Sequence, residues 1–305
     1  MKKRYSILIS ILCMIFLAGC QLHIETSVPP KTETQEPIVQ NYTEIRVSTP
    51  KDLFQNIKPY TRIILTEKYY NLSTIDAMEE LSNVEYDDWF IGGEYTIHDI
   101  DHIEICTEKN YAKLVVNSGH VNVLNFKNCS DIKLKNLVLG HEIEKGSCFG
   151  GVIHLEACHN VEIDQCHLYG CGTYGIIANE INNLNVINSE IYDCTEGIMQ
   201  LIDCNNLFFT NSSFHDNEEL SAFMLTNCNS FLLENCNITN NICNNFSSLF
   251  YTNGCRNITM KNCTFRNNTY PSFGDKEEYN IIDCLIEDKS NDKPIYYDVD
   301  PEYEF

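Results

Sequence analysis

Positive charge is what this sequence has least of. Its 305 residues carry 21 Lys and Arg against 43 Asp and Glu, a formal net charge of -22, and from Gly146 through Cys255 there is no Lys or Arg at all. Binding a phosphate backbone needs basic patches, so nucleic acid is excluded as a partner. A polyanion of any kind would be repelled from the central third of the chain. Also missing is an apolar run of the roughly 20 residues that a membrane-spanning helix requires. The one candidate, Ile7 to Phe16, is too short and meets polar sequence directly after Cys20.

That short run has another use. Lys2, Lys3 and Arg4 precede it and Leu17-Ala18-Gly19-Cys20 follows it, the layout of a secretory signal. The Leu-Ala-Gly-Cys box resembles the bacterial lipoprotein signal, and the resemblance implies cleavage before Cys20, lipid on its sulfur and a protein held on the extracytoplasmic face of the cell membrane. Residues 1–19 then form the signal peptide. Residues 20–44, rich in Pro, Thr and Glu with no apolar period, read as a flexible tether.

Cysteine, by contrast, is abundant, with 16 in the chain. The stretch CHNVEIDQCHLYGC, Cys158 to Cys171, crowds three cysteines and two histidines together and invites a zinc or disulfide reading. Repetition decides against both. The segments CSDIKLKNLVL from Cys129, CHNVEIDQCHL from Cys158, INNLNVINSEI from Ile181, CNNLFFTNSSF from Cys204, CNSFLLENCNI from Cys228 and CRNITMKNCTF from Cys255 are copies of one pattern, at steps of 29, 23, 23, 24 and 27 residues. Weaker copies occur at His102 and Tyr279.

Counting from each anchor as zero, positions 3 and 5 are apolar, then positions 8 and 10. Each pair has the period of a strand with one face inward. Between the pairs the parity flips, so the chain turns a corner. Position 7 sits there, as Asn136, Gln165, Asn188, Asn211, Asn235 and Asn262, and asparagine tolerates the left-handed conformation that a sharp bend needs. A third alternating strand precedes each anchor, as in Ile153 and Leu155. Three short strands and three bends in about 23 residues make one coil of a parallel β-helix. The pattern resembles the right-handed parallel β-helix of the pectate-lyase-like superfamily over about residues 45–288.

The expected architecture is therefore all-β, a single-stranded right-handed parallel β-helix of about eight coils with a small N-terminal helical cap. Residues 45–95 form the cap and first strands, 96–288 the β-helix and 289–305 an acidic tail. Within the cap, Ser48 to Ile57 reads as a helix with Thr49 as N-cap and Pro50 first. Arg62 to Leu65 reads as the first strand, and Ser73 to Leu81 as a second capped start with Asp76 in the capping-box place. The cysteines fall into columns beside inward positions, one through Cys129, Cys158, Cys204, Cys228 and Cys255. Coils stack about 4.8 Å apart whereas a disulfide wants Cβ atoms about 3.8 Å apart, so the thiols are expected free and buried. Zinc needs ligands converging on a point; His159 and His167 should face outward instead.

Members of the superfamily that cleave acidic polysaccharides use Arg or Lys as base, usually with calcium held by acidic residues, and the cation-free coils do not fit that chemistry. The Asn-Thr-Asp, Asp-Asp and Gly-His-Gly set of the polygalacturonase-like hydrolases and the Asp-Pro-His-Asp motif of the β-helix epimerases are also missing. HDIDH, His98 to His102, is a partial echo whose alternation splits its members between two faces.

What is left is a carboxylate pair. Asp193 and Asp216 share position 12 on neighbouring coils, about 5 Å apart, the separation of retaining glycosidases, with Glu196 nearby. Position 11 adds Tyr169, Tyr192 and His215 as a strip on which sugar rings could stack. The long insertion Gly140 to Gly151 brings His141 beside Tyr169 and Tyr174. Because position 12 continues as Asn240 and Asn267, a turn role for the aspartates competes with catalysis. Two functions stay open: a lipid-anchored carbohydrate-binding or scaffold protein facing a polysaccharide or cell-surface glycan, and a glycoside hydrolase acting on a neutral or weakly charged glycan. No metal site and no cofactor are implied; calcium on the acidic flank is compatible with either function, with no defined loop for it.

Overall fold

The computed structural model describes residues 42–75, 81–88, 92–108, 110–144, 149–170 and 172–290. The signal peptide, Cys20, nearly all of the tether, Asp76, Cys171 and the tail from Asn291 lie outside them. The described chain is wound into a parallel β-helix whose central coils each contribute one strand to each of three sheets, of ten, nine and eight strands. In the coil that starts at Cys158 these are His159–Asp164, His167–Tyr169 and Tyr174–Asn179.

Register is kept from coil to coil, so like residues stack on like. Ile132, Val161, Leu184, Leu207, Phe231 and Ile258 form one column inside the first sheet. Leu134, Ile163, Val186, Phe209, Leu233 and Met260 form the next, and all twelve are buried. These are the residues at positions 3 and 5, and each contributes on the order of 1.5–3 kcal/mol by burial. Aromatic residues thicken the core toward the C-terminal end, where Phe223 and Phe250 lie face to face at 4.4 Å and 4°.

The corner at position 7 is left-handed throughout, with φ between 51° and 57° at Asn136, Gln165, Asn188, Asn211, Asn235 and Asn262. Amides there also bridge coils: Asn235 Nδ2 donates to Asn211 Oδ1 at 3.2 Å, and Asn262 Nδ2 to Asn235 Oδ1 at 3.3 Å. Position 13 forms a second, fully buried ladder. Asn217 Nδ2 donates to Asn241 Oδ1, and Asn241 Nδ2 to Asn268 Oδ1, both at 2.9 Å, while Asn268 Nδ2 ends the ladder on Asp288 Oδ1 at 2.8 Å. Cys194, one coil earlier, is buried at the same position.

Twelve cysteines are described, all free, ten of them buried. Most of their thiols donate to main-chain carbonyls, as when Cys158 Sγ meets Glu156 O at 3.2 Å and Phe126 O of the coil below at 3.6 Å. Burial raises the Cys166 thiol to about 12 and the Cys106 and Cys243 thiols to about 11.

At the N-terminal end the helix spans Pro50–Gln55, with the Thr49 hydroxyl accepting from Asp52 N at 3.1 Å and Leu53, Phe54 and Ile57 buried. The first strand is Thr43–Val47, not Arg62 to Leu65: it pairs in parallel with Thr61–Leu65 at the head of the first sheet. Its alternation of Ile45 and Val47 is too brief to stand out beside the Thr- and Glu-rich segment before it. The residues after Asn71 make a single 3-10 turn, Leu72–Thr74, capped by the Asn71 side chain. Among the described strands one breaks the parallel rule, Val84–Asp87, which runs antiparallel to Glu94–His98 and closes that end of the third sheet.

Candidate functional site

The most organised surface on the molecule is the outer side of the second sheet. Register places Gly140, Tyr169, Tyr192, His215 and Thr239 in one column. The Tyr169 and Tyr192 rings stack with centroids 5.8 Å apart at 19°, and Tyr192 and His215 at 5.2 Å and 3°. Lys113 closes the stack, its Nζ 5.3 Å from the Tyr169 centroid. Glu142 holds that lysine at 2.8 Å and accepts from the Tyr69 hydroxyl at 2.6 Å. The Lys113–Glu142 hydrogen bond is the largest influence on both partners, pushing the lysine up and the carboxylate down.

This geometry changes what the strip can do. Parallel rings on successive coils lie against one another, so Tyr192, between Tyr169 and His215, has a neighbouring ring on each face. Sugar stacking on the middle of the strip, expected from the sequence, would compete with these ring contacts. Lys113 was not legible as part of this surface, because its coil matches the repeat only weakly.

Two residues assigned to the strip do not join it. His141 is 2% exposed, with Nε2 3.0 Å from Val121 O, and burial lowers its affinity for a proton. Tyr174 is also 2% exposed, its hydroxyl 3.9 Å from Met224 Sδ, and burial raises its pKa. The signal that could have placed them is parity: His141 continues the inward series Leu137 and Leu139, and Tyr174 begins the series Ile176 and Ala178.

The aspartates occupy neighbouring corners. Asp193 and Asp216 both have φ 58°, and so do Asn240 and Asn267 at the same position. Asp216 is half-exposed and bonded to its neighbour, Oδ2 to His215 Nδ1 at 2.7 Å. Glu196 stands three residues after Asp193, half-buried; burial first, and the charge of Glu219 second, raise its pKa.

In the HDIDH stretch the histidines engage separate carboxylates, His98 with Asp99 at 2.9 Å and His102 with Asp131 at 3.2 Å. Among the described residues, no three His, Cys, Asp or Glu side chains gather closely enough to hold a metal ion.

Residues 150–297 match the family model of the right handed beta helix region, and the chain is a right-handed parallel β-helix. Among solved structures it is similar to a glycosyl hydrolase candidate from Parabacteroides merdae, at 12% identity over 49% of this chain and 82% of that one, with a TM-score of 0.25. It is also similar to PfbA, a surface adhesin of Streptococcus pneumoniae, at 10% identity over 81% of this chain and 82% of that one, with a TM-score of 0.30. No curated protein sequence matches it.

Proposed function

We propose that this is an extracytoplasmic β-helix protein, anchored to the cell membrane by lipid on Cys20, that binds carbohydrate on its flank without cleaving it. One observation carries the non-catalytic part: Asp193 and Asp216 share their left-handed corner conformation with Asn240 and Asn267, so the position asks for a residue that tolerates positive φ and not for a carboxylate. The His215 partner further commits the Asp216 carboxylate to a local contact. The binding part is supported by the outward edges of Tyr192 and His215 and the corner amides, which present hydrogen-bonding groups at a fixed step along the axis.

A glycan array probed with the full chain, with product analysis of every hit, tests this reading. Retained ligand with no new reducing ends is the expected outcome; turnover abolished by Asp193→Asn would establish the hydrolase instead. That alternative draws on Glu196, whose raised proton affinity is the property a general acid needs.

A further inference from the structure

Corners between the second and third sheets differ in length: 193–196 spans four residues and 216–222 seven, whereas 142–152 spans eleven and 240–249 ten. The last two each carry an exposed phenylalanine. Phe246 is 99% exposed and Phe149 71% exposed. Neither is a loose end. Asn244 Oδ1 accepts from Phe246 N at 3.1 Å and from Ser247 Oγ at 2.8 Å, while Phe149 N donates to Gly119 O at 2.7 Å and its ring stacks on His120.

The two rings stand on one edge of the prism. Main-chain bonds join the corners in series: Gly150 N to Gly119 O, Thr173 N to Gly150 O, Glu196 N to Thr173 O, Leu220 N to Glu196 O and Asn244 N to Glu219 O, all between 2.7 and 3.1 Å. Four coil steps separate Phe149 from Phe246, about 19 Å at about 4.8 Å per step. The short corners between them form the floor of a saddle. On that floor lie Glu196 and Glu219, on adjacent coils joined by the bond from Leu220 N to Glu196 O. Thr173 lies there too, buried, with a hydroxyl that has no hydrogen-bond partner among the described residues. No Lys or Arg occurs anywhere from Gly146 through Cys255.

We infer that this saddle binds a linear amino-sugar polymer with free amines, its end rings resting on Phe149 and Phe246 and its ammonium groups on Glu196 and Glu219. The inference rests on the carbohydrate-binding reading above and narrows its ligand from glycans in general to cationic ones. Although the Phe149 ring rests on His120, the two phenylalanines are isolated from each other and largely open to solvent, so each has ring surface free for the apolar side of a sugar. The carboxylates between them lack a cation from their own part of the chain, and a ligand ammonium supplies it. A regular polymer suits a floor that rises by a constant step, one sugar being about as long as one coil is high.

Titration calorimetry on the full chain in detergent, at mildly acidic pH and low salt, tests this with three probes: a glucosamine hexasaccharide, its N-acetylated counterpart and hexalysine. The glucosamine oligomer is expected to bind at least about tenfold more tightly than the acetylated one. That affinity should fall by about the same factor in Glu196→Gln/Glu219→Gln and in Phe149→Ala/Phe246→Ala, with melting temperatures unchanged. Equal affinity for both saccharides, untouched by the Gln variant, overturns the cationic ligand and leaves the glycan reading standing. Hexalysine binding more tightly than either sugar, and depending on both phenylalanines, overturns it in favour of a basic peptide. Binding of neither saccharide overturns it as well; a neutral glycan found on the array would then keep the broader reading alive.

Discussion

Gly140 lies directly under the ring of Tyr169. A Cβ on Gly140 would stand 2.4 Å from Tyr169 Cε1 and 2.5 Å from Tyr169 O, so the aromatic stack exists in its present place because the coil before it carries no side chain there. Gly140→Ala should lower stability by about 2 kcal/mol, the usual cost of overpacking. Adding Tyr169→Ala should recover only part of that, because the carbonyl remains in the way. Urea midpoints of the single and double variants measure both.

Asn241 is the central rung of the buried amide ladder. It donates to Asn268 and Phe214 O and accepts from the Asn217 side chain and main chain. Asn241→Ala strips several buried groups of partners at once and should cost about 3 kcal/mol. Asn241→Asp keeps the acceptor and should differ in kind, becoming less harmful as pH falls and the carboxyl is protonated. Chemical denaturation at two pH values separates the cases.

Two buried thiols make the protein alkali-sensitive. Burial raises the folded pKa of Cys166 from 9.0 to about 12 and that of Cys106 to about 11. Above pH 9 the unfolded chain loses these protons while the folded chain keeps them, so the stabilisation is complete below that pH and is lost as pH climbs toward 12. Melting temperature should therefore drop steeply over this window, and iodoacetamide should label the buried thiols at neutral pH only after unfolding.

Asp193→Asn should be nearly silent, within about 0.5 kcal/mol, and should leave glycan binding intact. Asp193→Val at the same left-handed corner should cost roughly 1–2 kcal/mol, because a β-branched side chain is strained there. Thermal melts and array binding of the two variants check the turn role; an Asn variant that melts well below the wild type would remove it.

Much of this architecture was readable because a coil repeats its constraints. Parity at positions 3, 5, 8 and 10 located the core columns, and Asn at position 7 located one corner. The corner just before the anchor escaped notice. Ala157, Glu180 and Asp203, one residue before the anchor, have φ of 50°, 57° and 53°, yet Ala and Glu carry no preference that marks a left-handed site. The surface was harder still. Whether two rings stack or stand apart depends on register across coils, and the cover over Tyr169 comes from Lys113, 56 positions upstream in the sequence.

The step of 23 residues from Cys158 to Ile181, and again from Ile181 to Cys204, has a genetic consequence. Excising residues 181 to 203 would set Leu207 upon Val161 and Phe209 upon Ile163, contacts of the kind already made by Leu184 and Val186. Whole turns can thus be gained by duplication or shed by deletion without rewriting their neighbours, and length itself becomes a heritable variable of the molecule.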